Sequence, residues 1–307
     1  AITDDTQMML FTAEGLIRAL VRSNERGICH PPSVIRRAYF RWLHTQGEPW
    51  PDPDWSMDDG PGWLVSVPEL NHRRSPGSTC IGALRDGANG ELGLPVNDSK
   101  GCGGVMRVAP IGLGDVTDPF RMGAEVAALT HGHPSGYLAA GFLAELIARV
   151  RNGDDLAVSI TATGATAQGY DDHQELIAAV DAAVRLAAGG RPSAEALESL
   201  GGGWVGEEAL AIALCAALTA RDLSDGLLLA VNHSGDSDST GAITGNILGA
   251  AMGVEAIPDD LLEGLELREV ITEVADDLYE AFWGGGVGDS RDDTGTFHRW
   301  WTRYPGY

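Results

Sequence analysis

The stretch of this chain that decides its interpretation reads Asn232-His233-Ser234-Gly235-Asp236-Ser237-Asp238-Ser239-Thr240-Gly241. Two carboxylates stand two residues apart among hydroxyl groups. An apolar run at 227–231 precedes them, and small residues at 242–253 follow. Proteins hold Mg2+, Mn2+ or Ca2+ with such clusters of hard oxygen ligands. The alternative is a polar loop with a helix N-cap, because Asp and Ser both cap helices well.

The segment after this acidic stretch is rich in glycine. Gly241, Gly245, Gly249 and Gly253 recur every four residues. Each glycine inside a helix costs about 1 kcal/mol relative to alanine. Four of them on nearly one face therefore predict that another backbone or a ligand packs very close to this helix.

The composition argues against several classes of protein. The 307 residues include 44 acidic and 21 basic side chains, for a net charge of −23, and 44% of them are hydrophobic. That hydrophobic fraction is ordinary for a globular core. The charge argues against stable nucleic-acid binding, since phosphate contacts need clusters of Lys and Arg. No apolar run reaches the roughly 18 residues of a membrane span, so no membrane partner is expected.

Four cysteines are scattered along the chain, at Cys29, Cys80, Cys102 and Cys215, with no CxxC pair. This pattern is typical of reduced thiols in the cytoplasm and not of a disulfide framework or a zinc site. No signal peptide is recognised, and the cytoplasm is the expected location. The first residues lead directly into a helix, as if the start of a domain preceded them.

Helical spacing of apolar residues dominates the chain. A first helix follows Thr3-Asp4-Asp5-Thr6, whose polar side chains also suit a purely structural helix N-terminus. Residues 46–80 are predicted to be a long irregular loop, in which only 63–67 resembles a strand. Further helices are predicted at 33–43, 118–130, a segment ending at 150, 172–188, 194–200, 206–220 and 267–283. These patterns predict a single all-α domain over residues 1–307 with ten or more helices.

A glycine-rich turn, Ser99-Lys100-Gly101-Cys102-Gly103-Gly104, is a second candidate for ligand binding. Clustered glycines let a backbone approach an anion, although such a turn is more often only a tight connection. It is not a Walker A loop, because no Gly-Lys-Ser/Thr follows. Ser135 and Gly136 begin another helix, and the N-terminus of a helix is a second candidate anion-binding site. His131 and His133 are interpreted as helix-end and turn residues rather than metal ligands.

Three interpretations compete for the acidic stretch. An EF-hand loop starting at Asp236 requires Glu at its twelfth position, where this chain has Ile247. A phosphatase of the haloacid dehalogenase type also uses Asp-x-Asp-x-Thr, but its motif ends a strand early in an α/β domain. The third interpretation joins the stretch to Thr3-Asp4-Asp5 in one site. Four clustered carboxylates repel one another, and two divalent cations would neutralise them, orient a substrate and activate a water molecule.

With both acidic segments in view, the chain resembles the ADP-ribosylglycohydrolase family, which includes dinitrogenase reductase-activating glycohydrolase and the ADP-ribosyl-acceptor hydrolases. The matching segments follow the family's order and span most of the chain. They are Thr3-Asp4-Asp5-Thr6-Gln7-Met8, residues 101–110, Thr130-His131 and residues 234–250.

The resemblance implies a compact all-α fold with a binuclear site for two divalent cations, Mg2+ or Mn2+. Asp4 or Asp5 would also be catalytic, aligning or deprotonating a water that attacks the anomeric carbon of the distal ribose. The residues that match the family's metal ligands are Thr3, Asp4, Asp5, Asp236, Asp238 and Ser239. The diphosphate and adenosine would be held by Gly101, Gly103, Ser135, Gly136 and Tyr137, with Tyr137 stacked on the adenine.

Three features depart from the family pattern. Ser239 replaces the usual Thr, and either hydroxyl can bind a metal. Cys102 stands where many relatives have Asn, which is expected to alter the substrate pocket. Relatives also begin with a helix containing Gly-Asp-Ala-Leu-Gly and a glutamate-bearing loop, and this segment is expected to be cleaved or disordered rather than lost.

The expected function is therefore hydrolysis of the N- or O-glycosidic bond between ADP-ribose and a modified side chain or a related conjugate. The expected partner is an ADP-ribosylated protein or another ADP-ribosyl conjugate. The alternative is a catalytically inactive family member that binds ADP-ribose or serves as a structural protein.

Overall fold

Fifteen α-helices and no β-strand make up the part of the chain that the structure, a computed structural model, describes: residues 1–51, 61–87, 89–288 and 295–306. The predicted all-α fold is confirmed. None of the helices in these ranges is long and apolar enough to cross a membrane. In chain order they are α1 (Asp4–Arg26), α2 (Pro31–Thr45), α3 (Ser78–Arg85), α4 (Ala109–Leu113), α5 (Pro119–Ala128), α6 (Pro134–Arg151), α7 (Leu156–Ala167), α8 (Gln174–Ala188), α9 (Ala194–Leu197), α10 (Gly206–Thr219), α11 (Leu223–Val231), α12 (Ser237–Met252), α13 (Asp259–Glu263), α14 (Arg268–Phe282) and α15 (Thr296–Arg303).

The helices form two compact units. Unit 1 combines Ala1–Asn89 with Glu266–Tyr307, and unit 2 is the continuous segment Gly90–Leu265. Unit 1 therefore contains α1 to α3 with α14 and α15, and unit 2 contains α4 to α13. The single-domain interpretation of residues 1–307 stays a prediction.

Unit 1 is built on the packing of α1 against α2. α1 ends at Gly27, whose φ of 73° is a left-handed conformation that glycine adopts without a Cβ clash. The two helices come close because a glycine lies at their crossing: a Cβ on Gly15 would lie 2.8 Å from Ile35 Cα. α14 and α15 also pack against α1. The helix that carries Asp4 and Asp5 is thus held from two sides by separate parts of the chain.

Unit 2 is organised around α6. Leu138, Phe142 and Leu146 on this helix have no solvent exposure, and α4, α5, α7, α10 and α12 pack around it. The helix can be surrounded because its sequence is rich in small and apolar residues, which a fully buried helix requires. Its N-terminus, at Pro134, consequently lies at a fixed place beside the glycine-rich turn described below.

The crossing of α5 and α6 predicts a large effect for a small substitution. A Cβ on Gly123 would lie 2.7 Å from Ala144 Cβ and 2.9 Å from Ala140 O, both on α6. We expect Gly123→Ala to lower the free energy of unfolding by about 1–3 kcal/mol, because the two helices have to separate. The matched control is Gly249→Ala in α12, where an added Cβ meets no atom within 4 Å. It is expected to be neutral or to stabilise by up to about 1 kcal/mol. Urea unfolding compares the two, and equal effects would contradict the packing argument.

Two local expectations from the sequence are not met. The possible strand at 63–67 is wrong, since Leu64–Ser66 forms a 3₁₀ turn, and Val67 N donates to Leu64 O. This short run lies between proline- and glycine-containing turns and has no partner strand within the described ranges. No helix is predicted after residue 283, but this part of the chain contains α15, whose Trp300 is buried.

The close packing predicted along the glycine repeat holds for only part of α12. A Cβ on Gly241 would lie 2.8 Å from Val231 Cγ1, and one on Gly245 would make ordinary contact with Leu227 at 3.5 Å. Gly249 and Gly253 have no neighbour within 4 Å of such a Cβ. Gly253 instead ends α12 with a φ of 78°. Gly241 and Gly245 therefore allow α11 to pack against α12, and Gly253 ends the helix.

Candidate functional site

Unit 1 holds the first acidic segment at the start of α1. Asp4 and Asp5 lie in its first turn and are 5% and 2% exposed. The Thr3 hydroxyl donates to Asp5 Oδ2 at 3.0 Å, and the Gly77 N–H donates to Asp4 Oδ2 at 3.3 Å. The backbone N–H of Asp4 donates to Arg74 O at 3.0 Å. The segment before α3 therefore fixes the orientation of this carboxylate pair, which lies where the helix dipole favours negative charge.

Unit 2 holds the second acidic segment at the start of α12. Asp236 is the residue before the helix, and its N–H donates to Gly202 O at 2.8 Å. Asp238 is exposed in the first turn, whereas Ser239 is buried. Asp236 and Ser239 are thus held close to other segments of unit 2, whereas the carboxylate of Asp238 faces solvent.

The loop that leads into this segment is held by Thr240. Its buried hydroxyl donates to Ala230 O at 2.8 Å, at the end of α11, and lies 2.9 Å from His233 Nε2. The other ring nitrogen of His233 accepts the Gly235 N–H at 3.1 Å. Thr240 and His233 therefore have positioning roles, and the sequence alone did not single them out.

Cys102 connects the glycine-rich turn to the acidic segment of unit 2. Its thiol donates to Asp236 Oδ2 at 2.9 Å and contacts Ser239 Oγ at 3.5 Å. Its backbone N–H donates to Trp204 O at 3.1 Å, and the Gly206 N–H donates to Lys100 O at 2.7 Å. Two predicted metal ligands and the turn predicted to bind substrate are therefore direct neighbours, although 134 positions separate Cys102 from Asp236.

The start of α6 adjoins the same turn. A Cβ on Gly136 would lie 3.0 Å from Lys100 Cα, and one on Gly206 would lie 3.3 Å from Gly136 Cα. Glycine is required at both positions because backbones meet there. Gly101, Gly136 and the segment after Gly203 thus lie close together within unit 2. That they bind substrate stays a prediction.

Ser135 is less available to an anion than its position suggested. It is 1% exposed, and its hydroxyl donates to Glu175. Its N–H donates to His133 Nδ1 at 3.1 Å, and the N–H groups of Gly136 and Tyr137 donate to His133 O at 3.0 and 3.2 Å. The donors at the start of α6 are therefore engaged within the protein.

Tyr137 lies one residue further along α6 and is partly exposed. Burial raises the pKa of its phenol, and the nearby carboxylates of Asp172 and Asp171 raise that pKa further. The ring therefore remains a neutral hydrogen-bonding and stacking group at neutral pH.

Lys100 is the only lysine of the chain and lies directly before Gly101. Its ammonium group pairs with Glu175 and, at 2.6 Å, with Glu207. Burial lowers the pKa of Lys100, but the hydrogen bonds to the two carboxylates outweigh it, so the pKa is raised. The lysine and Ser135 in turn hold the pKa of Glu175 below its usual value. This cluster carries no local sequence signal, since Glu175 and Glu207 lie 75 and 107 positions away.

His131 lies beneath the glycine-rich turn and is 1% exposed. Its Nδ1 lies 2.8 Å from the Thr130 hydroxyl and 3.5 Å from the position of a Cβ on Gly104. Burial, reinforced by the nearby Arg107, lowers the pKa of His131 to about 3. The ring is therefore neutral and structural. In the described ranges, no group of three or more His, Cys, Asp or Glu side chains is arranged to hold a metal ion.

Acid is expected to destabilise the protein through His131. Its folded pKa of about 3 lies below the value of about 6.5 for an unfolded histidine, so the unfolded state binds the additional proton between these values. This contribution to stability is complete above about pH 6.5 and falls by up to roughly 1.4 kcal/mol for each pH unit below it. His131→Gln is expected to flatten this part of the pH dependence. Unfolding curves between about pH 7 and about pH 4 test this, and unchanged pH dependence in His131→Gln would contradict it.

Comparison with known proteins identifies relatives along nearly the whole chain. Residues 1–287 match the model of the ADP-ribosylglycohydrolase family. An uncharacterized protein of Archaeoglobus fulgidus is 30% identical over 295 residues, covering 91% of this chain and 80% of the archaeal protein. A solved structure described as an ADP-ribosylglycohydrolase-related protein complex is 28% identical with a TM-score of 0.63, covering 91% of this chain and 81% of that one. The resemblance inferred from the acidic motifs is thereby confirmed.

Proposed function

The chain belongs to the ADP-ribosylglycohydrolase family, and from this premise we propose that it hydrolyses the glycosidic bond between ADP-ribose and a modified side chain or a related conjugate. The products are free ADP-ribose and the unmodified acceptor. The substrate is an ADP-ribosylated protein or another ADP-ribosyl conjugate.

The observation that carries the proposal is the pair of adjacent, buried carboxylates in the first turn of α1. Asp4 and Asp5 are 5% and 2% exposed. Two like charges in a buried position repel each other, and a helix N-terminus favours negative charge. A structural N-cap needs one side-chain acceptor and not two buried carboxylates. Paired carboxylates are the oxygen ligands that divalent cations prefer.

The chemistry of the predicted ligands supports Mg2+ or Mn2+. The ligands would be Thr3, Asp4, Asp5, Asp236, Asp238 and Ser239. All six offer carboxylate or hydroxyl oxygens, which these hard cations prefer. When bound, two such ions would orient the ribose and activate a water molecule.

Asp4 or Asp5 accepts a proton from the attacking water in this proposal. The water oxygen bonds to the anomeric carbon, the C–N or C–O bond to the acceptor breaks, and the proton passes to the leaving nitrogen or oxygen. The hydrogen bond from Gly77 N–H to Asp4 Oδ2 and that from Thr3 to Asp5 Oδ2 hold the two carboxylates in a defined orientation.

Gly101 and Gly103 present the turn backbone to the diphosphate, and Tyr137 stacks on the adenine. Ser135 has a supporting role, because its hydroxyl is already donated to Glu175. The glycine-rich turn therefore carries more of the anion binding than the start of α6.

The test is the release of free ADP-ribose, measured by chromatography, from ADP-ribosyl-arginine, ADP-ribosyl-serine and ADP-ribosylated nucleic acid. The full-length protein is assayed with Mg2+, with Mn2+ and with a chelator. We expect release from at least one conjugate, and its loss on chelation. Absence of release from all three with either ion would overturn the proposed function. Release that persists under chelation would overturn its metal dependence.

A further inference from the structure

We propose that a cavity of unit 1, between the end of α1 and the start of α2, binds a small phosphate-containing anion. The anion is inorganic phosphate or a phosphate monoester of a small molecule. The cavity has a volume of about 260 Å3 and is lined by Arg22, His30, Ser33, Val34 and Arg37. Except for Val34, each of these side chains offers N–H or O–H donors, and none of them is a carboxylate.

The two helices bring a surplus of positive charge to this cavity. Arg18 and Arg22 stand four positions apart on α1, and Arg37 and Arg41 stand four positions apart on α2. Like charges at this spacing destabilise a helix. Among the ion pairs of the described ranges, one carboxylate serves this group: Glu14 lies 3.4 Å from Arg18 and 2.9 Å from Arg41. Four arginines therefore share one carboxylate, in a chain whose net charge is −23.

The guanidinium groups of Arg22 and Arg37 are the two that line the cavity, and both side chains are half-buried. Neither is paired with a carboxylate in the part of the chain that the structure describes. Arg22 Nη1 donates to Gly306 O at 3.0 Å, which fixes this guanidinium and uses one of its five N–H groups. Arg37 forms no hydrogen bond within the same residues. Most donors of both groups are therefore available to a ligand.

His30 and Ser33 complete the set of donors. The Ser33 hydroxyl lies 2.7 Å from His30 Nδ1, and this hydrogen bond orients the imidazole ring. The backbone at the start of α2 contributes little, because Pro31 and Pro32 have no N–H. The anion is therefore recognised by side chains and not by the N-terminus of the helix.

The chemistry and size of the cavity favour phosphate. A guanidinium presents a planar fork of N–H donors that matches a phosphate with charge-assisted hydrogen bonds. The volume of about 260 Å3 lies just below the roughly 300–1,000 Å3 of sites for drug-sized ligands. Arg22 follows Asp4 by 18 positions on α1, or about 27 Å along the helix axis. The anion site is thus separate from the carboxylates of the proposed active site.

Calorimetry without divalent cations, at constant ionic strength, tests the inference with orthophosphate, glycerol phosphate and acetate as probes. Wild type, Arg37→Gln and Arg37→Lys are compared with Arg185→Gln, a control that removes an exposed arginine from α8. We expect wild type to bind one equivalent of a phosphate probe with a Kd below about 1 mM, and acetate at least about tenfold more weakly. Arg37→Gln is expected to weaken phosphate binding by about tenfold or more, and Arg185→Gln by less than about twofold. Arg37→Lys keeps the charge but not the fork, so its loss is expected to be intermediate.

The outcomes separate this cavity from other anion sites. Phosphate binding that is unchanged in Arg37→Gln would place the anion elsewhere, for example at the glycine-rich turn, and overturn the inference. Absence of binding by both phosphate probes, or equal binding of acetate, would overturn it as well. Tighter binding of orthophosphate identifies the free ion as the ligand, tighter binding of glycerol phosphate identifies an ester, and either result supports the site.

Thermal unfolding gives a second measurement on the same proteins. Arg37 has no hydrogen-bond partner in the described ranges, so its replacement is expected to leave the protein folded. Phosphate is expected to raise the Tm of wild type and of Arg185→Gln but not that of Arg37→Gln, because a ligand stabilises only a protein that binds it. An equal rise in all three proteins would contradict the inference. Neither measurement depends on release of ADP-ribose, so the result is independent of the proposed function.

Discussion

Asp238→Ala is expected to lower ADP-ribose release by at least about 100-fold and to weaken Mn2+ binding in parallel, while the protein stays folded. Loss of groups that only support a metal ligand already costs 10–100-fold, and loss of a ligand costs more. Asp238 is exposed in the first turn of α12, so its removal leaves no cavity. The lost interaction with the helix dipole is worth only about 0.3–1 kcal/mol. Calorimetry with Mn2+, product release and thermal unfolding measure the three quantities.

Asp260→Ala is the matched control for this experiment. Asp260 is likewise an exposed aspartate in the first turn of a helix, α13, and no role in metal or substrate binding is assigned to it. Its replacement is expected to leave Mn2+ affinity and product release within about twofold of wild type. If Asp238→Ala behaves in the same way, Asp238 is not a metal ligand.

Removal of the Glu14 charge is expected to destabilise the protein by about 3–5 kcal/mol. Glu14 in α1 has no solvent exposure, and its carboxylate lies 2.9 Å from Arg41 and 3.4 Å from Arg18. Burial lowers the pKa of both arginines, that of Arg18 to about 9. The negative charge of Glu14 raises the pKa of both arginines and so favours their charged forms. In Glu14→Gln two positive charges remain buried without it, and denaturant unfolding measures the loss.

Two further variants separate charge from packing at this cluster. Glu25→Gln, also on α1, removes a carboxylate whose pairing with Arg26 is solvent-exposed, and is expected to cost less than about 1 kcal/mol. The double variant Glu14→Gln/Arg41→Met removes one buried charge of each sign and is expected to recover part of the stability lost in Glu14→Gln. Arg41→Met alone is measured as the second single variant. A double variant less stable by the sum of both single effects would show that packing, and not charge, accounts for the loss.

The helical pattern of the sequence predicted the fold well because most helices here bury one regular apolar face. The sequence pattern was least informative about burial, which contacts between distant parts of the chain determine. Glu14 and Arg18 stand four residues apart, a spacing typical of an exposed ion pair. They are buried because α2 supplies Arg41 and because Gly62, with a φ of 78°, brings its backbone over the pair. Neither feature is visible from the sequence of α1.

For the candidate site, the sequence predicted the local structure but not the contacts between distant segments. Aspartates at helix starts and clustered glycines are local patterns, and both acidic segments do begin helices. The contact of Cys102 with Asp236 and the pairing of Lys100 with Glu207 join residues more than 100 positions apart. Such pairs depend on the packing of α6 and α10, which periodicity does not encode.

The interrupted order of unit 1 has a consequence for biosynthesis. α1 packs against α14, and the Ile2 N–H donates to Glu266 Oε2 at 3.0 Å across 264 positions. At about 5–20 residues per second, a ribosome needs on the order of tens of seconds to make the intervening chain. Unit 2 is continuous and is complete in the meantime. The apolar face of α1 therefore stays exposed until α14 and α15 have been synthesised. Nascent-chain chaperones are expected to bind α1 rather than the segment after residue 90.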